Sequence, residues 1–466
     1  MADIELSTID DLSTMGDGDK VFGYSAAKQD VGWFPSHLIS RKGYACRRWD
    51  ETLSTPVGEA YGNIDYLRDL PYLLGLGCYL VSDNREKRKL SATTHHQFAD
   101  GSPAALDGTM GQYMWCWNTF YYATWQEGNH TYEAVSLDPI EGKKNYRIPE
   151  GGIPAFNAGV IDRDNNTLCS VVNSSERYRG GGGVALTDTQ AAPDAPQTTM
   201  LGMPASNYSI VNGSSYARKR GEGWEGNWFV AAVATEVLFR VIFGTRHAQS
   251  AVVAEKDENG LFQGGLGAGV TGMSDWEGYN GTYPIIPTGA GVEFGDMTGS
   301  FIYNVLNADG SVRYAAPVPV FFGLKNFYGH LWSGVSGQLI NAGQEVTEGF
   351  IAPSMYAGWN TGSVANMLKA TELPRTSGYI TRLSMNLFCG LPTAVGGSAS
   401  TYFADYFYEN TAGGSYGLRA RWARGSSAYS TFAGPHCTYS HGTVTHAAPN
   451  RSVPLCYFKE DPVIEL

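Results

Sequence analysis

The stretch GEGWEGNWFVAAVATEVLFRVIFGTRHAQSAVV, Gly221 to Val253, contains the most apolar run of the chain and decides how the rest can fold. It predicts a helix that begins near Asn227, a residue suited to an N-cap, and ends at Gly244, which suits a left-handed C-terminal position. Glu236 and Arg240 stand four residues apart and are expected to pair. Because most faces of this helix are apolar, we expect it to be enclosed in a core.

Weaker patterns on either side of this helix predict shorter elements. A helical period runs over Ile64 to Leu73, and the aromatic alternating runs Tyr113 to Trp125 and Tyr132 to Leu137 are separated by the turn EGNH, which predicts a hairpin. Residues 1–45 carry short alternating pieces separated by Gly, which predict small strands that dock on a partner. A short helix is predicted near Val364 to Ala370.

The composition indicates a folded chain rich in loops and strands, with more than one domain or one domain with large insertions. Its 466 residues include 58 glycines, about twice the usual share, and carry a formal net charge of -12. The negative charge and the lack of long Lys/Arg runs argue against nucleic-acid binding. The acidic start MADIELSTIDDLST carries no secretory signal, and Asn227 to Phe243 is too short and too charged to cross a bilayer. We expect a cytoplasmic product without membrane insertion.

The C-terminal stretch from about Gly397 to Phe458 has the composition of a binding surface. Small backbone-permissive residues alternate there with Tyr, His, Arg, Asn and Thr, and no Lys, Gln, Met or Ile occurs between Thr401 and His446. Tyrosine offers large, rigid contact area at little entropic cost, as in antibody paratopes. Tyrosine, Thr and Phe are also ordinary strand formers, so the same alternation is equally typical of a sheet face. Composition alone leaves both interpretations open.

Three features in this order resemble the variable proteins of diversity-generating retroelements. The helix string starts near a Trp and ends in a G-T-x-x-x-Q-S pattern at Gly244 to Ser250. The string KNFYGHLW, Lys325 to Trp332, resembles the family motif E-N-x-x-G-N-x-W, with Lys in place of Glu and His in place of the second Asn. The Gly/Ala/Tyr-rich C-terminal run follows. The hairpin YYATWQEGNHTYEAVSLDPIEG and the P-A-F at Pro154 to Phe156 also look like the family's opening strands, so the resemblance covers roughly Asp100 to Phe458.

The resemblance implies an α+β fold, namely a C-type-lectin-like domain of the formylglycine-generating-enzyme type with insertions, preceded by small β-rich N-terminal segments. On this interpretation residues 1–45 form a virion or partner attachment segment and residues 46–99 a small linking module. Residues 100–466 form the ligand-binding domain, with a variable region at about 397–458.

The resemblance also implies that error-prone copying at adenines diversifies the variable region on a fixed scaffold. Such copying of Asn codons does not give Trp, Lys, Gln, Glu or Met, so Trp422 and Glu409 are expected to be scaffold. The positions expected to be diversified, solvent-facing and ligand-binding are Tyr406, Tyr408, Tyr416, Arg419, Arg421, Arg424, Ser427, Tyr429, Thr431, Phe432, His436, Thr438, His441, Thr443, His446 and Arg451.

The N-terminal portion resembles the attachment segment of a phage tail fibre or tail-tip protein. Together the two resemblances imply a phage tail fibre or receptor-binding protein, an adhesin for host attachment. Its expected partners are a host cell-surface receptor, protein or glycan, and other virion tail proteins that contact the N-terminal segment. A homotrimer is expected, located in the virion tail and assembled in the host cytoplasm. Two alternatives stay open: a bacterial surface or secreted diversified ligand-binding protein, and a tail-associated polysaccharide-cleaving enzyme.

The chain shows little sign of catalytic or metal chemistry, and we expect no enzyme activity, no cofactor and no metal. Asp405 and Glu409 are the only acids in the expected site. The evenly spaced His436, His441 and His446, with Cys437 nearby, fit contact side chains better than zinc ligands. Asp162, Asp164 and Asn166 mimic the start of a calcium loop but lack its Gly and final Glu. Seven widely spaced cysteines are expected to be reduced and mostly buried.

Overall fold

The computed structural model describes residues 20–25, 30–35, 43–187, 189–359, 362–409, 411, 414, 416–425 and 430–464, and for residues 20–25, 30–35 and 430 the backbone alone. The described chain is mostly sheet with few helices. The helices are α1 (Ile64–Leu73), α2 (Pro196–Thr199), α3 (Ile210–Arg218), α4 (Phe229–Phe243) and α5 (Trp276–Asn280). No helix among these residues is both long and apolar enough to cross a membrane.

The strands of the first half are β1 (Lys20–Ser25), β2 (Asp30–Pro35), β3 (Ala45–Asp50), β4 (Glu59–Gly62), β5 (Gly77–Val81), β6 (Lys87–Lys89), β7 (Gln112–Trp117), β8 (Phe120–Glu127), β9 (His130–Ser136), β10 (Tyr146–Ile148), β11 (Gly151–Pro154), β12 (Val160–Asp162), β13 (Thr167–Cys169) and β14 (Trp224–Gly226). Those of the second half are β15 (Gly299–Leu306), β16 (Val312–Phe321), β17 (Leu324–Lys325), β18 (Trp332–Ala342), β19 (Thr347–Ile351), β20 (Leu368–Leu373), β21 (Gly378–Ser384), β22 (Leu391–Val395), β23 (Tyr406–Tyr408), β24 (Gly417–Ala423), β25 (Thr438–Tyr439), β26 (Arg451–Ser452) and β27 (Leu455–Phe458).

The strands form three larger sheets and three small ones. Their orders are β10-β8-β9-β3-β4, β14-β27-β11-β7-β5-β6, and β20-β19-β18-β24-β25-β23-β21-β22 with β26 beside β18. The pairs β1-β2 and β12-β13 and the ribbon β15-β16-β17 are separate. Strands from residues 46–99 share sheets with strands from residues 112–458. No break in strand pairing marks the boundary proposed at residue 99 in the described chain, and the domain limits stay predictions.

Helix α4 is the centre of the main core, as its sequence predicts. All 15 of its residues are buried, and it ends at Gly244, whose φ of 63° is left-handed. The predicted N-cap is wrong, because Trp228 occupies that position and the Asn227 amide instead donates to the Gly334 carbonyl at 2.8 Å. The predicted pairing of Glu236 with Arg240 is also wrong. Both side chains are fully buried, and each reaches a partner on another element.

The other predicted elements have mixed outcomes. Helix α1 is confirmed, and Asn63 caps it by accepting from the Tyr66 N–H. The hairpin is confirmed as β8 and β9, and the small N-terminal strands as β1 and β2. The helix near Val364 to Ala370 is wrong, because strand β20 begins at Leu368 and pairs with β19. All seven cysteines lie among the described residues, where each is buried and free of disulfides, as predicted.

Candidate binding surface

Six partly exposed rings form a continuous patch on the C-terminal strands, which we call the aromatic face. They are Tyr379, Tyr406, Tyr408, Phe432, Tyr439 and His441. Ring centroids are 5.2 Å apart for Tyr379 and Tyr406, and 4.7 Å apart for Tyr406 and Phe432. The chain of contacts continues from Tyr406 through Tyr408 and Tyr439 to His441 at 4.7, 6.0 and 4.4 Å. The rings therefore hold one another in edge and tilted contacts.

Strand pairing explains why these rings meet. Antiparallel pairing of β21 with β23 sets Tyr379 opposite Tyr406, and parallel pairing of β23 with β25 sets Tyr408 opposite Tyr439. Along β23 the middle residue, Phe407, is buried while its neighbours point outward, which is the two-residue period of a strand. The alternation therefore marks a sheet face, and its outward rings are partly exposed. That these rings contact a ligand stays a prediction.

Buried aromatic side chains support the aromatic face from below. The Trp332 ring lies 6.0 Å from Tyr408 and 5.2 Å from Tyr439, and it is 2% exposed. The guanidinium of Arg451 lies over both the Tyr439 ring, at 5.1 Å, and the Trp422 ring, at 4.7 Å. These contacts limit the movement of Tyr408 and Tyr439, so part of the surface is ordered before any ligand arrives.

A set of buried charges, which we call the charge network, joins α4 to the C-terminal strands. Arg421 pairs with Glu236 at 2.9 Å, and both side chains are fully buried. Arg240 pairs with Glu133 at 2.8 Å. Arg240 also donates to Nε2 of His436 at 2.9 Å, and Nδ1 of His436 lies 2.9 Å from Asp405. Removing one member leaves a buried charge without its partner, so substitutions in such a network strongly destabilise the fold.

The bonding around His436 fixes its ionisation state. Its Nε2 accepts from an arginine, which can only donate, so the proton sits on Nδ1 and is donated to Asp405. Burial, and then Arg240 and its neighbouring arginines, hold the pKa of His436 well below its ordinary value. His436 is therefore neutral and links Arg240 on α4 to Asp405, which directly precedes β23, without adding a charge of its own.

Arg424 anchors the end of β24 in a similar way. Its guanidinium donates to Thr235 Oγ1 at 2.7 Å and to the Asn157 amide oxygen. Its carbonyl accepts from the Gly329 N–H at 2.9 Å. Complete burial lowers the pKa of Arg424 to about 10. The residue thus ties the end of β24 to α4 and to the segment that contains Gly329.

The structure divides the predicted ligand-binding residues into two groups. Those that are exposed or partly exposed are Tyr406, Tyr408, Tyr416, Arg419, Thr431, Phe432, His441, Thr443 and His446. The prediction that the others face solvent is wrong for Arg421, Arg424, His436, Thr438 and Arg451, which are buried. Their polar groups bond to interior partners, or, for Arg451, stack on rings. Ser427 and Tyr429 lie outside the described residues, and ligand contact itself stays a prediction.

Sequence reasoning left two members of the aromatic face out of the predicted site. Tyr379 lies before the predicted variable region, and Tyr439 lies inside it but is not among the positions predicted to bind a ligand. Their only sequence signal is an aromatic in a short strand, which is not distinctive. Trp422 and Glu409, expected to be scaffold, are buried.

The acids near the aromatic face already have structural partners. Asp405 accepts from the His436 backbone N–H at 2.8 Å as well as from its ring. Glu409 accepts from the Thr411 N–H at 2.8 Å and from the Thr411 hydroxyl at 2.7 Å. In the calcium-like sequence, Asp162 receives two bonds from Arg177 at 2.9 and 2.7 Å. These carboxylates hold the fold together in the described structure.

The two substituted positions of the family-like motif lie in the interior. Lys325 is buried and donates to the Tyr113 hydroxyl at 2.6 Å and to the Gly323 carbonyl at 3.2 Å. Nε2 of His330 accepts from the Ile285 N–H at 3.1 Å, and burial lowers its pKa to about 3. Both substitutions therefore place a polar group where it bonds inside the protein.

No family model and no curated protein matches the sequence. Among solved structures, the chain matches a protein named "Major Tropism Determinant I1 Variant" with 10% sequence identity and a TM-score of 0.22, over 88% of this chain and 90% of that one. A TM-score this low does not establish a shared fold.

Proposed function

We propose that this chain is a non-enzymatic receptor-binding protein of a phage tail, and that its aromatic face recognises a molecule on the host surface. The observation that carries the proposal is a continuous set of partly exposed rings on strands that a buried charge network fixes. The resemblance of the helix, the KNFYGHLW motif and the C-terminal run to diversified variable proteins supports it. The C-type-lectin-like arrangement of residues 100–466 belongs to the same proposal.

The aromatic face has the physical properties that such recognition requires. Tyrosine rings add contact area with few rotatable bonds, while their hydroxyls can donate or accept hydrogen bonds. Tyr379 already uses its hydroxyl toward Thr431, at 3.1 Å. Side chains on this outer layer can change without altering the buried layer beneath them, so affinity can vary while the fold is kept.

A purely binding role agrees with the state of the nearby acids. Asp405 and Glu409 are buried and bonded to the protein itself, so neither is placed to attack a glycosidic bond or to protonate one.

In the same proposal, residues 1–45 contact other tail proteins and the chain forms a homotrimer. Linked copies would raise the avidity of a shallow surface without any new contact.

Binding of the purified full chain to host cells tests the proposal. Replacing Tyr406 and Tyr408 together by Ala removes the middle of the aromatic face, and we expect binding to fall by about tenfold or more, as for central aromatic contacts. The matched control is Tyr356→Ala, because Tyr356 is 56% exposed and lies outside the aromatic face. Unchanged binding by the double variant, with a normal unfolding curve, would show that the surface lies elsewhere.

A further inference from the structure

A second polar cluster lies outside the aromatic face and joins three distant parts of the chain. Cys78 is on β5, His95 follows β6, and Asp296 precedes β15. One potential ligand atom from each of them lies within 4.8 Å of the other two. The Cys78 and His95 side chains are fully buried, and that of Asp296 is 11% exposed.

The side chains are already oriented toward one another. Oδ1 of Asp296 accepts from the Cys78 backbone N–H at 2.9 Å and lies 3.0 Å from His95 Nε2. The other ring nitrogen of His95 is hydrogen-bonded to the Tyr113 hydroxyl. This contact orients the ring so that Nε2 faces Asp296. Because Lys325 donates toward the same side, the ring proton sits on Nε2 in the metal-free protein, and a cation that binds Nε2 displaces that proton.

Two glycines let the backbone approach the cluster closely. A Cβ on Gly77, whose φ is 143°, would lie 2.3 Å from Asp296 Oδ2. A Cβ on Gly323, whose φ is 86°, would lie 2.7 Å from Asp296 Oδ1 and 3.0 Å from Cys78 Sγ. Any larger residue at either position would displace the carboxylate, so backbone conformation and packing both serve this arrangement.

We propose that Cys78, His95 and Asp296 bind one zinc-type divalent cation. Thiolate, imidazole and carboxylate together suit a borderline-soft ion, and three protein ligands with one open position are a common zinc arrangement. The two negative ligands offset the charge of the ion. The bound metal would connect β5 to the segment before β15, residues that are 218 positions apart in the sequence.

Two lysines are the competing cations at this site. Nζ of Lys89 is 3.9 Å from Asp296 Oδ2, and Nζ of Lys325 is 3.3 Å from His95 Nδ1. Their ammonium groups stabilise the cluster when metal is scarce and weaken the affinity for a cation. The fraction of chains with a bound metal ion therefore depends on the concentration of free zinc, and a metal titration measures it directly.

Cobalt titration of the chelator-treated full chain tests the site, because Co²⁺ bound to a thiolate gives a charge-transfer absorption. We expect one equivalent per chain, displaced by Zn²⁺, and loss of the absorption in Cys78→Ser. The matched control is Cys116→Ser, which removes another buried thiol from the adjacent strand and should keep the absorption. Absence of the absorption in the wild-type protein, or its survival in Cys78→Ser, overturns the proposal.

Thermal unfolding gives a second readout that does not depend on colour. Zinc should raise the unfolding midpoint of the wild-type protein and of Cys116→Ser, and a chelator should reverse the rise. In His95→Asn, zinc should not change the unfolding midpoint, even if the substitution itself shifts that midpoint. A wild-type midpoint that zinc does not change, or an equal rise in His95→Asn, overturns the proposal.

Discussion

At the scale of single residues, His436 gives the protein a predictable response to acid. Its pKa is near 6.5 in an unfolded chain and well below that value when folded. Below about pH 6.5 this residue therefore binds more protons in the unfolded state, and its contribution to stability falls as the pH falls, by up to ~1.4 kcal/mol per pH unit. His436→Gln keeps a donor and an acceptor but does not titrate, so we expect a shallower slope. Urea unfolding at several values between about pH 5 and pH 7.5 measures it.

The control for this prediction is His96→Gln, which removes an exposed histidine and should leave the slope unchanged. An equal slope in wild type and His436→Gln would mean that His436 does not take up the proton. The resemblance to diversified variable regions placed His436, Arg421 and Arg424 on the surface, whereas the structure buries them. The partners of His436 and Arg421 on α4 are 196 and 185 positions away, so burial here depends on contacts that no local pattern encodes.

At the scale of elements, the pair between Glu236 and Arg421 fastens β24 to α4. Arg421→Met leaves Glu236 buried without its partner, and we expect a loss of about 3–5 kcal/mol in the free energy of unfolding. Adding Glu236→Leu should recover part of that loss, because the stranded charge is then gone. The surface pair of Arg48 and Glu59 is the control, since both side chains are partly exposed, at 32% and 69%. Arg48→Met should cost much less, because water screens an exposed ion pair.

Denaturant unfolding of the two single variants, the double variant and the control measures these differences. If Arg421→Met cost no more than Arg48→Met, the charge network would not be what holds β24 against α4.

The sequence predicted α4 well because its apolar run and Gly244 are local signals. It failed for β20, whose pairing with β19 is decided by another strand, and it failed for the N-cap, where Asn227 bonds to Gly334 instead. Elements whose structure is determined by their own local sequence were predictable, whereas features determined by contacts with distant parts of the chain were not.

At the scale of the whole molecule, the division into an outer and a buried layer predicts where diversification can occur. Substitutions at the exposed and partly exposed positions should cost much less than those in the charge network, which should cost about 3–5 kcal/mol. In a propagated lineage we therefore expect changes at Tyr406, Tyr408, Tyr416 and other exposed members of the predicted set, and few at the buried members. Deep sequencing of the gene, with adenines in any nearby template copy as the reference, measures this.

The test compares how often exposed and buried positions change within the same gene, so each gene supplies its own control. Arg419 and Arg421 make the sharpest comparison, because they are two residues apart on β24 and only Arg421 is buried. Frequent change at Arg419 with constancy at Arg421 supports a diversified surface on a fixed scaffold. Equal change at both would mean that burial does not restrain variation and that the aromatic face is not the diversified layer. A region as constant as α4 would remove diversification from the proposal and leave the aromatic face to be judged by binding alone.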